Sequence, residues 1–197
     1  MNRAATPLRI AVADDEADMR QFFKELLPQL GFEVVAIAET GRQLVEDCRQ
    51  TNPDMVITDI RMPETDGLDA ARMVNQERPV PVVVITGHHD AASLERATSD
   101  YVMAYLSKPV KAVDLQAAIK LAMLRFDQFT TLRKEAADSR QALQDRKLVE
   151  RAKGIIMKRA RLDEPEAFRR LQKLASDKNR KLAEVAAMIV TAEEAIQ

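Results

Sequence analysis

Tryptophan is absent from these 197 residues, aromatic residues make up only 4% of them, and there is a single cysteine. So few aromatic side chains disfavour base stacking on an aromatic platform as a mode of binding. A lone cysteine, Cys48, excludes a disulfide within the chain and is typical of a reducing compartment. Because Cys48 falls on the inner face of a predicted helix, we expect a buried thiol rather than a reactive one.

Long apolar runs are also missing, since none approaches the roughly 20 residues that a membrane-spanning helix needs. Residues 1–7 contain no apolar signal core and are expected to form a flexible leader. With 46% hydrophobic and 31% charged residues, the chain can bury a core and stay in solution. These features predict a cytoplasmic protein of one or two domains without a membrane partner.

The charges are unevenly distributed along the chain. Residues 1–110 carry a net charge of −7 and residues 146–181 carry +8, although the whole chain is −1. An acidic front and a basic block indicate two domains with different partners. The basic block alone is compatible with a solvated face or with a polyanion-binding surface.

Short apolar runs alternate with amphipathic stretches in the first 110 residues. The predicted strands are 9–13, 32–38, 54–58, 82–86 and 101–108, and the predicted helices are 17–30, 41–51, 67–76, 90–98 and one from 112 onward. This alternation predicts an α/β fold, a doubly wound, five-stranded parallel sheet with helices on both faces. Pro28 predicts an early end or a kink in the first helix.

Polar side chains follow four of the predicted strands. Asp14 and Asp15 follow the first, Asp59 follows the third, Thr86 ends the fourth and Lys108 ends the fifth. A lone Asp at a strand end is more often a turn or cap residue, but parallel strands bring all five side chains to one rim. Like charges so close are costly without a cation, and oxygen ligands suit Mg²⁺.

In this order and at about this spacing, these residues resemble the receiver domain of bacterial two-component response regulators, over residues 8–122. The resemblance implies a flavodoxin-like fold in which Asp59 accepts a phosphoryl group from a sensor histidine kinase. It implies that Asp15 and Asp59 hold Mg²⁺ directly, that Asp14 does so through water, and that the backbone carbonyl of Arg61 completes the ligands. Phosphoryl transfer needs mainly positioning and charge neutralisation, which such a site supplies.

The same resemblance implies a switch. Lys108 pairs with the phosphoryl oxygens, and Thr86 turns inward to accept one of them. Tyr105 matches the switch aromatic of the family and is expected to pack inward when Thr86 moves, the alternative being a strand residue that caps the core. The bond between Lys108 and Pro109 is expected to be cis.

Arg61 and His88 lie two residues after Asp59 and Thr86. They are either loop residues that face water or residues that flank the attacking water. In the second case we expect them to set the lifetime of the phosphoryl-aspartate.

From residue 112 the apolar period changes, and a coiled-coil-like linker is predicted over 112–146, overlapping the last receiver helix. The seam residues are Leu115, Ile119, Ala122, Phe126 and Phe129, then, after an extra three-residue step, Leu132, Ala136, Ser139, Leu143 and Arg146. This pattern predicts a parallel homodimer seam interrupted by a stammer. The alternative is a single amphipathic helix that lies on its own receiver.

The last segment contains three further motifs, Val149–Met157, Glu166–Leu171 and Asn179–Ala186. They resemble the ANTAR domain, the RNA-binding module of response-regulator antiterminators, which we assign to residues 143–197. Its apolar stripes predict a small three-helix unit, with a helix start at residues 163–166. The resemblance implies recognition of hairpin RNA, whose loop bases are unstacked and accessible.

Five residues are predicted to face outward and contact the RNA loop and phosphates: Arg151, Lys153, Asn179, Arg180 and Lys181. Asn179 is either a reader of a base edge or a helix cap. Gly154 within a helix is unfavourable, which predicts close approach of some group at that position.

Together these observations predict a phosphorylation-dependent antiterminator that binds paired RNA hairpins and forms a homodimer when phosphorylated. A receiver-controlled interaction module without RNA binding is the alternative. An Asp-based phosphatase is disfavoured because no second acid lies two residues after Asp59. Binding to DNA is disfavoured because the sequence contains no helix-turn-helix pattern. The only chemistry expected is self-phosphorylation and self-dephosphorylation.

Overall fold

The structure, a computed structural model, describes residues 6–87 and 101–195. The chain divides into two compact units, residues 1–130 and 131–197. No helix among the described residues is long and apolar enough to cross a membrane.

The first unit alternates strands and helices as predicted. Its elements are β1 (Arg9–Ala13), α1 (Ala17–Gln29), β2 (Glu33–Ala38), α2 (Gly41–Thr51), β3 (Met55–Asp59), α3 (Gly67–Glu77), β4 (Val82–Thr86) and β5 (Val102–Ser107), followed by the start of α4 (Ala112–Ala160). The strands form one parallel sheet in the order β2-β1-β3-β4-β5. The predicted doubly wound α/β fold is therefore confirmed.

Alternate side chains of the strands divide the apolar core between the two faces of the sheet. Ala11 and Ala13 of β1 pack with residues of α2 and α3, whereas Ile10 and Val12 pack with residues of α1 and α4. Every residue of β3 is buried, as expected for a central strand that is covered on both faces.

Most of the predicted element bounds agree with the structure to within two residues. Helix α1 does not end before Pro28, which occupies its last turn, and Gly31 ends the helix with a φ of 87°. The predicted helix over 90–98 lies outside the described residues. The Lys108–Pro109 bond is cis, as expected.

The predicted dimer seam is wrong in its first half. Leu115, Ile119 and Ala122 are at most 1% exposed, and Phe126 and Phe129 pack against the same core cluster on the sheet. The ring of Phe129 also meets Tyr101 edge-on, at 5.6 Å between centroids. This part of α4 therefore lies on its own receiver, which was the alternative interpretation.

The second half of the seam lies on a different face of α4, and all of residues 131–140 are exposed. Leu132 and Leu143 share this face, because they are eleven residues apart and eleven residues make about three helical turns. They are 65% and 56% exposed, respectively. The extra step between Phe129 and Leu132 marks a change of face and not a stammer in one seam.

The second unit contains the end of α4, then α5 (Glu164–Asp177) and α6 (Leu182–Glu194). Helix α5 begins as predicted, with the side chain of Asp163 accepting a hydrogen bond from the amide of Glu166 at 2.8 Å. The three helices share an apolar core that includes Ala152, Leu171 and Val185. Since α4 runs unbroken from residue 112 to residue 160, the predicted linker and the first helix of the C-terminal unit are one helix.

Candidate functional site

Four carboxylates converge at the carboxyl edge of the parallel sheet. Asp14, Asp15 and Glu16 follow β1, and Asp59 ends β3, and each offers an oxygen within 4.8 Å of the others. The predicted convergence of Asp14, Asp15 and Asp59 is present. Glu16 was not predicted, although its position directly after the acid pair was a signal in the sequence.

Lys108 joins three of these carboxylates from the end of β5. Its Nζ lies 2.6 Å from Glu16 Oε1, 2.9 Å from Asp59 Oδ2 and 3.0 Å from Asp14 Oδ2. Burial opposes the charged ammonium, but hydrogen bonds to Glu16 and Asp59 outweigh it and raise the pKa of Lys108. The amine is therefore a fixed positive charge beside Asp59.

Asp14 is fully buried, and burial raises the pKa of its carboxyl group, an effect partly opposed by the Glu16 amide and Lys108. Its Oδ1 accepts a hydrogen bond from the amide of Glu16 at 2.9 Å. Its Oδ2, although close to Lys108, completes no hydrogen bond. A buried oxygen of this kind is suited to a cation, and the all-oxygen set around it has the chemistry that Mg²⁺ prefers.

Asp59 is 7% exposed and is held through both oxygens. Its Oδ1 accepts a hydrogen bond from the amide of Ile60 at 2.6 Å, and its Oδ2 accepts one from Lys108. The backbone of Asp59 also lies against Gly67 at the start of α3. A Cβ at Gly67 would be 1.7 Å from the carbonyl oxygen of Asp59, so only glycine fits there.

Thr86, Tyr105 and Arg61 lie around this pocket with different exposure. Thr86 is half-buried, and its carbonyl oxygen accepts the amide of Lys108 at 3.0 Å. Tyr105 is 36% exposed, and its partial burial raises the pKa of the hydroxyl to about 12. Arg61 is exposed, and the predicted lifetime residue His88 lies outside the described residues.

In the second unit, the two predicted RNA contacts on α4 are engaged by acidic residues. Arg151 pairs with Glu194 at 2.8 Å. Lys153 pairs with Glu150 at 2.9 Å and with Glu164 at 2.7 Å, and it is only 8% exposed. The expectation that Lys153 faces outward is wrong, because α4 turns it toward the start of α5.

The other three predicted contacts are consecutive and exposed in the turn between α5 and α6. Asn179 has a φ of 50°, and the amides of Asn179 and Arg180 bond back to Ser176 and Ala175. Asn179 therefore ends α5 in the left-handed conformation that asparagine tolerates well. Lys181 precedes the first residue of α6.

Comparisons with known proteins agree with both units. The family described as the response regulator receiver domain matches residues 10–120, and the ANTAR domain matches residues 137–190. The transcriptional regulatory protein PdtaR of Mycobacterium tuberculosis (strain ATCC 25618 / H37Rv) is 40% identical over 187 residues, covering 95% of this chain and 91% of that protein.

Two further matches are partial: one relative is a longer protein that matches over part of its length, and the other matches chiefly the first unit of this chain. Protein-glutamate methylesterase/protein-glutamine glutaminase 2 of Carboxydothermus hydrogenoformans is 32% identical, covering 80% of this chain but only 40% of the relative. The crystal structure of a response regulator receiver domain protein from Clostridium thermocellum has a TM-score of 0.56 and 32% identity, covering 64% of this chain and 98% of that one.

A doubly wound parallel sheet with an acidic pocket and a lysine at its carboxyl edge defines a receiver-type signalling protein. The chain belongs to the response regulators, with a receiver domain followed by an ANTAR domain.

Proposed function

We propose that this response regulator is phosphorylated on Asp59 by a sensor histidine kinase in the cytoplasm and then binds hairpin RNA in transcript leaders as an antiterminator. The observation that carries the proposal is the convergence of Asp14, Asp59 and Lys108 in one pocket, on a chain with an ANTAR domain. A bound antiterminator would keep an overlapping terminator hairpin from forming.

The pocket fits a divalent cation, because Asp14, Asp15, Glu16 and Asp59 each offer a carboxylate oxygen within 4.8 Å of the others. Asp14, Asp15, Asp59 and the backbone carbonyl of Arg61 would hold Mg²⁺, which would neutralise charge on the transferred group. In this chain Asp59 supplies the carboxylate that accepts the phosphoryl group. Lys108, already 2.9 Å from Asp59 Oδ2, supplies a second positive charge to the new oxygens.

Phosphorylation would change the conformations of Thr86 and Tyr105, which lie around the pocket. Thr86 would turn toward a phosphoryl oxygen, and the partly exposed ring of Tyr105 would then pack inward. Arg61 and His88 would set the lifetime of the phosphoryl-aspartate. Alanine at either position should change the rate of phosphate loss, and unchanged rates in both variants would end that part of the proposal.

Dimerisation through α4 remains part of the proposal, but on another face. The stripe formed by Leu132 and Leu143 is exposed, and residues spaced by eleven keep to one side of a helix. Two such stripes in a homodimer would bury the leucines and place two ANTAR domains on paired hairpins, which raises affinity through effective concentration.

Electrophoretic shift of a two-hairpin leader RNA tests the main proposal. Full-length protein treated with a small phosphodonor should shift the RNA at lower protein concentration than untreated protein. Absence of any shift in both states would instead favour a receiver-controlled protein interaction module, an alternative that fits the engagement of Arg151 and Lys153 by carboxylates.

The dimer surface has its own test. Leu132→Asp should abolish the increase in size that a phosphodonor causes in sedimentation, because a charge would enter the apolar stripe. Lys134→Asp lies nearby on α4 but off the stripe, and it should still dimerise. Equal dimerisation of both variants would exclude this surface.

A further inference from the structure

Acidic residues divide the cations of the C-terminal unit into two groups. Three cations of α4, namely Arg151, Lys153 and Arg159, have carboxylate partners at 2.7 to 2.9 Å, in Glu194, Glu164 and Glu193 among others. The charges of these three side chains are therefore already neutralised within the chain, whereas Arg146, Lys147 and Lys158 of the same helix form no ion pair among the described residues.

Apart from Arg169, whose Nε donates a hydrogen bond to the carbonyl oxygen of Pro165 at 3.4 Å, the cations of α5 and of the turn that follows it belong to the second group. We call them the α5 surface: Arg170, Lys173, Lys178, Arg180 and Lys181. All five are exposed, and within the described residues none of them has a carboxylate partner. The guanidinium of Arg180 lies 3.9 Å from the sulfur of Met188.

The geometry of α5 explains this separation. Its inner stripe, Ala167, Leu171 and Ala175, is buried, which leaves Arg170 and Lys173, three residues apart, to solvent. Its glutamates are confined to the first turn at Glu164 and Glu166, and one of them is used on Lys153. Asp177 lies four residues after Lys173 but forms no ion pair with it among the described residues.

We infer that the α5 surface holds the phosphate backbone of the RNA, while the paired cations of α4 serve mainly to join the helices of the unit. The inference rests on the proposed function and adds Arg170, Lys173 and Lys178, which the sequence did not indicate, to Arg180 and Lys181. A cation without a partner in the protein releases the counterions that are condensed on the RNA when it binds a phosphate. No carboxylate of the protein has to be displaced from that cation first.

The salt dependence of binding distinguishes the two groups. The affinity for a hairpin RNA is measured by fluorescence anisotropy at several salt concentrations. The slope of log K against log salt for Arg170→Ala/Lys173→Ala should be smaller in magnitude than that of the wild type by about 1.5. Each phosphate contact contributes about 0.7 to 0.9 to this slope. Arg151→Ala/Arg159→Ala, which removes two paired cations, should leave the slope close to that of the wild type. Lys134→Ala/Arg140→Ala controls for loss of charge alone.

Several results would overturn the inference. Unchanged affinity and slope in Arg170→Ala/Lys173→Ala, with a normal thermal midpoint, would exclude these residues from the interface. A larger loss in Arg151→Ala/Arg159→Ala would assign the backbone contacts to α4. If the wild type bound vesicles containing phosphatidylglycerol as tightly as it binds the hairpin RNA, and Arg170→Ala/Lys173→Ala lost this binding, the surface would be assigned to lipid. Failure of the wild type to bind any hairpin would overturn the proposed function itself, and this inference with it.

Discussion

Gly67 shows how one residue constrains the acidic pocket around Asp59. A Cβ at this position would lie 1.7 Å from the carbonyl oxygen of Asp59 and 2.6 Å from Thr58 Oγ1. We expect Gly67→Ala to lower the free energy of unfolding by more than about 2 kcal/mol, because backbone must move to admit the methyl group. Chemical denaturation measures this change, and a variant as stable as the wild type would show that the contact is not close in solution.

Asp14 provides a second prediction at the residue scale. Burial raises the pKa of its carboxyl group, so the folded chain binds this proton more tightly than the unfolded chain does. The carboxylate therefore destabilises the fold at neutral pH, and this cost disappears as the pH falls through the raised pKa. Asp14→Asn should melt at a higher temperature than the wild type at pH 7 without Mg²⁺, by a margin that shrinks at acidic pH.

Magnesium supplies the control for that variant. Mg²⁺ should raise the thermal midpoint of the wild type more than that of Asp14→Asn, because ligands that bind only the folded state stabilise it. Equal stabilisation of both proteins by Mg²⁺ would exclude Asp14 from the metal site.

Cys48 was predicted to be a buried thiol, and the structure confirms it. It is 6% exposed, and burial raises its pKa to about 12. We expect a thiol reagent at pH 8 to modify the folded protein far more slowly than the unfolded protein, since the thiolate is the reactive species. Rapid modification of the native chain, followed by mass spectrometry, would contradict this burial.

Helix α4 carries two different surfaces, and matched truncations separate them. Ile119→Ala should lower the free energy of unfolding by about 2 to 5 kcal/mol, because Ile119 is 1% exposed in the receiver core and its loss leaves a cavity. Leu132→Ala, at 65% exposure, should change the stability of the unphosphorylated protein little. Similar losses in both variants would show that Leu132 is buried in this state too.

Gly154 lies within α4 and is exposed. An added Cβ would meet no atom within 4 Å, so the close approach predicted from the sequence does not come from the described part of this chain. Gly154→Ala should therefore raise the free energy of unfolding by about 0.5 to 1 kcal/mol, since alanine favours the helix. A free energy of unfolding that is lower for Gly154→Ala than for the wild type, measured by chemical denaturation, would contradict this placement.

Strand periodicity and strand ends were sufficient to predict the sheet and the acidic pocket at its edge, because parallel strands must bring Asp14, Asp59 and Lys108 to one edge. The face of α4 could not be predicted in the same way. Apolar residues such as Phe126 are needed equally for a dimer seam and for packing on a sheet, and only tertiary structure decides between them. For the same reason Lys153 looked exposed, because its partner Glu164 belongs to another helix.

At the scale of the whole molecule, α4 contributes to both domains. Leu115 and Ile119 belong to the receiver core, and Ala152 and Ile156 belong to the core of the ANTAR unit. A change in the receiver that acts on α4 therefore acts on a helix that also forms part of the ANTAR core. Under the proposed function, phosphate on Asp59 and RNA on the ANTAR domain are thermodynamically coupled.

The most direct measurement is the dissociation constant of a two-hairpin RNA for the full-length wild type and for Asp59→Asn, each with and without a small phosphodonor and Mg²⁺. The account predicts tighter binding by the treated wild type, by about 5-fold to 150-fold if the coupling is of ordinary size, and no response in Asp59→Asn. Equal dissociation constants for the wild type in both states, with phosphorylation of Asp59 verified by mass spectrometry, would contradict it.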